Sequence, residues 1–115
     1  MMQMGSLEQR RFPRFNYSIP IKYRPQTQPA STYTVTRDLS VGGLKLLTNN
    51  FIPRGTEVQL EVEFPHLDLI NTQGTVVWSN RINHSEQYLS GIRFTALDET
   101  NRKNISDLVS YALRH

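Results

Sequence analysis

The 115-residue sequence predicts an all-β domain followed by one C-terminal helix. Three observations carry that expectation. Short runs of β-branched and aromatic residues alternate with polar ones as far as Phe94, the period of a half-buried strand. Pro, Gly and Asn clusters separate those runs and supply turn signals. Only the last quarter of the chain changes to a helical period. Five or six strands of this size fit a small barrel or a sandwich. The length suits one domain with a single modest core.

The first strand, Tyr17–Arg24 (YSIPIKYR), opens with alternation. Pro20 has no N–H for a neighbouring strand, so an edge or bulged strand is expected there. PQTQPA is a turn, and Ser31–Asp38 (STYTVTRD) is the second strand. VGG interrupts the pattern, and Leu44–Thr48 (LKLLT) resumes it as the third. The Pro/Gly loop NNFIPRG leads into Thr56–Phe64, with Val58, Leu60, Val62 and Phe64 on the buried face and Glu57, Glu61 and Glu63 facing solvent. PHLDLINTQ then turns the chain into Gly74–Ser79, and the polar loop NRINHSEQ precedes the last strand, Tyr88–Phe94. The helix is expected over about 98–114. Asp98 suits its N-cap, and Ile105, Leu108, Val109 and Ala112 recur at i, i+3, i+4 and i+7, a stripe that packs against the β domain. Arg114 and His115 fall in the last turn, where cations complement the helix dipole.

Composition removes several classes of function. There is no cysteine, hence no disulfide or thiolate metal site. No apolar run approaches the ~20 residues of a membrane span, and MMQMGSLEQ lacks the pattern of a secretory signal, so the expectation is a soluble, cytoplasmic protein. His66, His84 and His115 are scattered without metal-ligand spacing. No nucleophile elbow, Walker loop or GxGxxG occurs. The chain reads as a binding module, not an enzyme.

Its charge is unevenly placed. Residues 1–24 hold five bases against one acid, whereas the other 91 residues hold eight bases and nine acids. Ten of the thirteen bases are arginines, which favours planar, bidentate contacts over simple point charge. Residues 1–14 contain few apolar anchors and are expected to form a flexible basic arm. On it, RRFPR places Arg10, Arg11 and Arg14 around a stiffening Pro13, and an extended backbone spreads them over about 13 Å. One strand pair later, DLSVGG (Asp38–Gly43) combines a carboxylate, a hydroxyl and two glycines. Ser40 can cap that turn, and Gly42 or Gly43 is expected to supply a positive φ. Together the motifs offer what a guanine nucleotide needs: cations for phosphates and the O6/N7 edge, and an anion for the N1–H and N2–H₂ edge. A solubilising tail and a turn that merely satisfies its own backbone are the plainer readings of each motif alone.

In this order and on this scaffold, the motifs resemble those of the PilZ domain, the bacterial cyclic di-GMP receptor module. That family carries R-x-x-x-R ahead of the first strand, matched here by Arg10 and Arg14 with Arg11 as the frequent second arginine. Its [D/N]-x-S-x-x-G is matched by Asp38, Ser40 and Gly43. VVWSN around Trp78 and GIRF at Gly91–Phe94 also resemble the family's last strands, so the likeness covers roughly residues 8–113. The resemblance implies a six-stranded antiparallel β-barrel plus a C-terminal α-helix, occupying residues 15–115 behind the arm, with no catalytic activity, cofactor or metal.

It further implies a ligand, cyclic di-GMP, held by Arg10, Arg11, Arg14, Asp38, Ser40 and Gly43. Trp78 stands where some members bring an aromatic to the site, although a barrel-core or rim position suits it equally. Gly91 and Arg93 are weaker candidates. A lone receptor domain of this kind would change its arm on binding and signal to a downstream protein, in motility, biofilm formation or polysaccharide export. The alternative from another class is a small RNA- or ssDNA-binding barrel stacking bases on Tyr17, Tyr33 and Trp78. A slightly acidic body and the lack of RNP-like aromatic pairs count against a nucleic-acid polymer. A third reading, a PilZ-like domain that has lost its ligand, conflicts with the intact motifs.

Overall fold

The computed structural model describes residues 18–63 and 69–114. The arm at 1–14, the expected strand residues Tyr17 and Phe64, and the side chain of Ala112 lie outside the described residues. Six strands follow in chain order: β1 (Ile19–Pro25), β2 (Thr32–Thr36), β3 (Gly43–Thr48), β4 (Glu57–Val62), β5 (Ile70–Arg81) and β6 (Tyr88–Phe94). They form one sheet in the order β2-β1-β4-β5-β6-β3, every neighbouring pair antiparallel. The two end strands meet, because the Thr34 hydroxyl of β2 donates to the Leu47 carbonyl of β3 at 2.7 Å. The sheet is thus a nearly closed barrel.

Alternation fills it. Ile19, Ile21 and Tyr23 from β1 point inward with Val58, Leu60 and Val62 from β4. Leu44 and Leu46 from β3, Ile70 and Val76 from β5, and Ile92 and Phe94 from β6 complete the ring. Each such side chain removed from water contributes about 1.5–3 kcal/mol. Helix α1 (Glu99–Arg114) closes one side of the core with Ile105 and Leu108, both buried, and Val109 packs against it. Asp98 caps it as the sequence predicts, its Oδ1 accepting the Asn101 N–H at 2.7 Å.

Two expectations are corrected. Pro20 does not make β1 an edge strand, since β1 pairs with both β2 and β4. The imide is tolerated because the β1–β4 ladder begins one residue later, at Ile21 opposite Val62. The Pro20 carbonyl still accepts the Glu63 N–H at 3.1 Å. In addition, β5 starts at Ile70, within the segment expected to turn, and runs on through Asn80 and Arg81. Its polar residues Asn71 and Gln73 lie opposite Glu61 and Gln59 on the outer face, while Ile70 and Thr72 are buried inside. Amides on one face hid a strand that alternates correctly.

One irregularity positions a side chain. Val76 pairs with Ile92 and Trp78 with Gly91, leaving Val77 as the extra residue of a β-bulge. Because side chains alternate with period two, one inserted residue exchanges the faces of everything beyond it. Val76 is buried inside; past the bulge Ser79 turns inward, its hydroxyl 2.9 Å from that of buried Ser90. Trp78 is therefore delivered to the outside of the barrel.

Candidate functional site

The Asp38–Gly43 turn joins β2 to β3 and is tied down at nearly every residue. The buried Thr36 hydroxyl accepts the Asp38 N–H at 3.1 Å. The Asp38 carbonyl in turn accepts the Lys45 N–H at 3.2 Å. Leu39 bridges to Leu44, and the Ser40 N–H donates to the Gly43 carbonyl at 2.9 Å. The Ser40 hydroxyl accepts the Gly42 N–H at 3.1 Å, so this serine does cap the turn. The Gly42 carbonyl accepts the Phe94 N–H at 3.0 Å, which fastens the turn to the end of β6.

The glycines act differently from the sequence expectation. Neither Gly42 nor Gly43 has a positive φ; among the described glycines only Gly55 does, at 92°, in the loop before β4. Gly43 is required by proximity instead. It pairs with Arg93, and a Cβ on it would run into the Ile92 carbonyl group. The turn can lie this close to β6 only with no side chain there.

Outside the barrel, Lys45, Gly91 and Trp78 form one cross-strand row over β3, β6 and β5. The indole covers Gly91 so closely that a Cβ on Gly91 would overlap its Nε1 edge. The turn and this row enclose a concavity of about 280 Å³. Asp38, Ser40 and Gly43 line one side of it and Val77 and Trp78 another, with Leu39, Leu44 and Ile92 giving it a largely apolar character. Among the described residues, Asp38 and Lys45 are its charged lining groups.

The PilZ domain family model matches residues 8–111. The chain belongs to the PilZ domain family. Solved structures agree in fold with this PilZ domain. The PilZ domain with c-di-GMP of YcgR from Escherichia coli superposes with a TM-score of 0.68 at 15% identity, over 90% of this chain and 91% of that one. The inhibitor of motility MotI/DgrA of Bacillus subtilis gives 0.70 at 16% identity, over 90% of this chain and 49% of that one. The MrkH–c-di-GMP complex of K. pneumonia gives 0.70 at 16% identity, over 90% and 51%. This chain thus spans about half the length of MotI and MrkH. No curated protein sequence matches it.

Of the residues singled out from the sequence, Asp38, Ser40, Gly43 and Trp78 come together around one concavity of the PilZ barrel. Arg10, Arg11 and Arg14 lie outside the described residues. Gly91 belongs to the site as the floor beneath Trp78. Lys45 and Val77 escaped the sequence reading. Two-residue alternation from Gly43 would have placed Lys45 on the outer face beside the turn, whereas nothing in GTVVWS announces the bulge. Among the described residues no group of His, Asp or Glu side chains is arranged to hold a metal, and no helix is long and apolar enough to cross a membrane.

Proposed function

We propose that this PilZ domain is a non-catalytic receptor for cyclic di-GMP that passes the signal to a downstream protein. The observation that carries the reading is the lining of a single apolar concavity by Asp38, Ser40, Gly43 and Trp78. A guanine seated against Trp78 and the aliphatic walls meets Asp38, whose carboxylate accepts from N1–H and N2–H₂. Ser40 and Gly43 hold the turn at the right distance. Arg10, Arg11 and Arg14 supply cations to the phosphates and to the second base. The c-di-GMP in the YcgR and MrkH structures supports this choice of ligand. Residues 1–14 close over the bound nucleotide and offer a new surface to the partner, in the cytoplasm and in the control of motility or biofilm formation. An oligonucleotide reading is less favoured, because exposed Tyr33 on β2 and Trp78 on β5 are separated around the barrel by β3 and β6 and form no common stacking platform.

Isothermal calorimetry with cyclic di-GMP, GMP, cyclic di-AMP and a short oligonucleotide tests the proposal. Saturable heat is expected with cyclic di-GMP and far weaker binding with the others. Arg10→Ala, Arg14→Ala and Asp38→Ala should each cost about 1.5–3 kcal/mol of binding, the worth of a hydrogen bond to a charged group. Absence of heat with cyclic di-GMP at micromolar concentrations, or parental affinity in the three variants, would overturn it.

A further inference from the structure

Lys45 belongs to neither motif, yet it lines the same concavity as Asp38 and Trp78. Its side chain is half-buried on the outer face of β3. Among the described residues its ammonium makes no hydrogen bond or ion pair, while its backbone N–H is fixed to the Asp38 carbonyl at 3.2 Å. That bond holds a carboxylate and an ammonium on adjacent positions at the rim of an apolar slot. Lysine only donates and an ionised aspartate only accepts. The pair therefore matches a flat ring that shows an acceptor next to donors along one edge.

Guanine has that edge, with O6 beside N1–H and N2–H₂; adenine reverses it, with N6–H₂ beside the acceptor N1. With Asp38 accepting from N1–H and N2–H₂, O6 is the next atom along that edge, and Lys45 is the cation that lines the same concavity among the described residues. We infer that Lys45 is a specificity-determining residue, donating to O6 of the guanine that Asp38 holds and so selecting guanine over adenine. The inference rests on the cyclic di-GMP reading of this site. Its place differs from that of Arg10, Arg11 and Arg14, which supply cations to the phosphates and to the second base, whereas Lys45 reads the guanine that Asp38 holds.

The test measures the dissociation constants of cyclic di-GMP and cyclic di-AMP for the parent protein, Lys45→Met and Lys45→Arg. Lys45→Met keeps the length and apolar stem of the side chain and leaves the backbone bond to Asp38 intact, and its melting temperature should equal that of the parent. Cyclic di-GMP should bind it about tenfold to a hundredfold more weakly. Cyclic di-AMP should be unchanged or tighter, so the preference for guanine falls by at least that factor, and Lys45→Arg should largely restore it. Equal weakening of both nucleotides would assign the lysine to the phosphates and overturn the inference, as would parental affinities for both. Those results leave parental cyclic di-GMP binding in place. Failure of the parent itself to bind cyclic di-GMP would instead remove the receptor reading and this inference together.

Discussion

Gly42 and Gly43 are adjacent and chemically identical, but the barrel treats them differently. A methyl on Gly43 meets the Ile92 carbonyl group, part of the β6 backbone, which cannot step aside without breaking the β3–β6 ladder. A methyl on Gly42 finds Ser40 Oγ at 3.7 Å, an ordinary contact, and the backbone there is not left-handed. Gly43→Ala should therefore cost about 1–3 kcal/mol of stability and weaken nucleotide binding, because the turn must lift away from β6. Gly42→Ala should be neutral or stabilising by up to about 1 kcal/mol, since it restricts only the unfolded chain. Paired melting and binding curves check both, and equal effects of the two substitutions would contradict the close-approach argument. The motif itself was legible in the sequence. Which glycine matters was not, since the constraint comes from a strand some fifty residues away, across the barrel.

At the scale of the strand, the bulge at Val77 decides what Trp78 can do. Removing a residue from the middle of a central strand ordinarily throws every later side chain onto the wrong face. Here the residue to remove is the one without a partner, and its deletion would leave Val76 opposite Ile92 and Trp78 opposite Gly91. The deletion variant should still unfold cooperatively, with Trp78 emission characteristic of a partly exposed indole. It should bind the nucleotide less well, because Val77 forms part of the concavity. A marked blue shift of the emission would mean that the register has slipped and the indole has gone inside, against this prediction. Strand alternation and the Asp98 cap were readable because they are local. The early start of β5 and the bulge were not. Both depend on pairing: Asn71 and Gln73 are strand residues because Glu61 and Gln59 stand opposite them, and the face of Trp78 follows from Gly91.

For the molecule as a whole, core and site meet at Leu39, Leu44 and Ile92, which belong to the buried cluster and also line the concavity. The polar and aromatic lining of the concavity, Asp38, Ser40, Lys45 and Trp78, lies outside that cluster, between the β2–β3 turn and β5. Arginine heads seldom serve as buried core groups, so Arg10, Arg11 and Arg14 are proposed to serve binding and not folding. A ligand at a hundred times its Kd stabilises a protein by about 2.7 kcal/mol, which for a domain of this size raises Tm by about 10 °C. The parent protein should show that rise with cyclic di-GMP. The variant Arg10→Gln/Arg11→Gln/Arg14→Gln should melt with the parent when no nucleotide is present and show little rise at the same concentration. Closing the segment over the ligand would order about seven residues at roughly 7–14 kcal/mol of backbone entropy. Only contacts made at that moment can offset such a cost, and a nucleotide with two phosphates relieves the mutual repulsion of three guanidiniums while supplying their hydrogen-bond partners. Backbone NMR order parameters over residues 8–14 should accordingly rise on titration in the parent and stay unchanged in the variant. High values in the free parent would mean a pre-formed site, and the signal would then have to leave the barrel by another route than this segment.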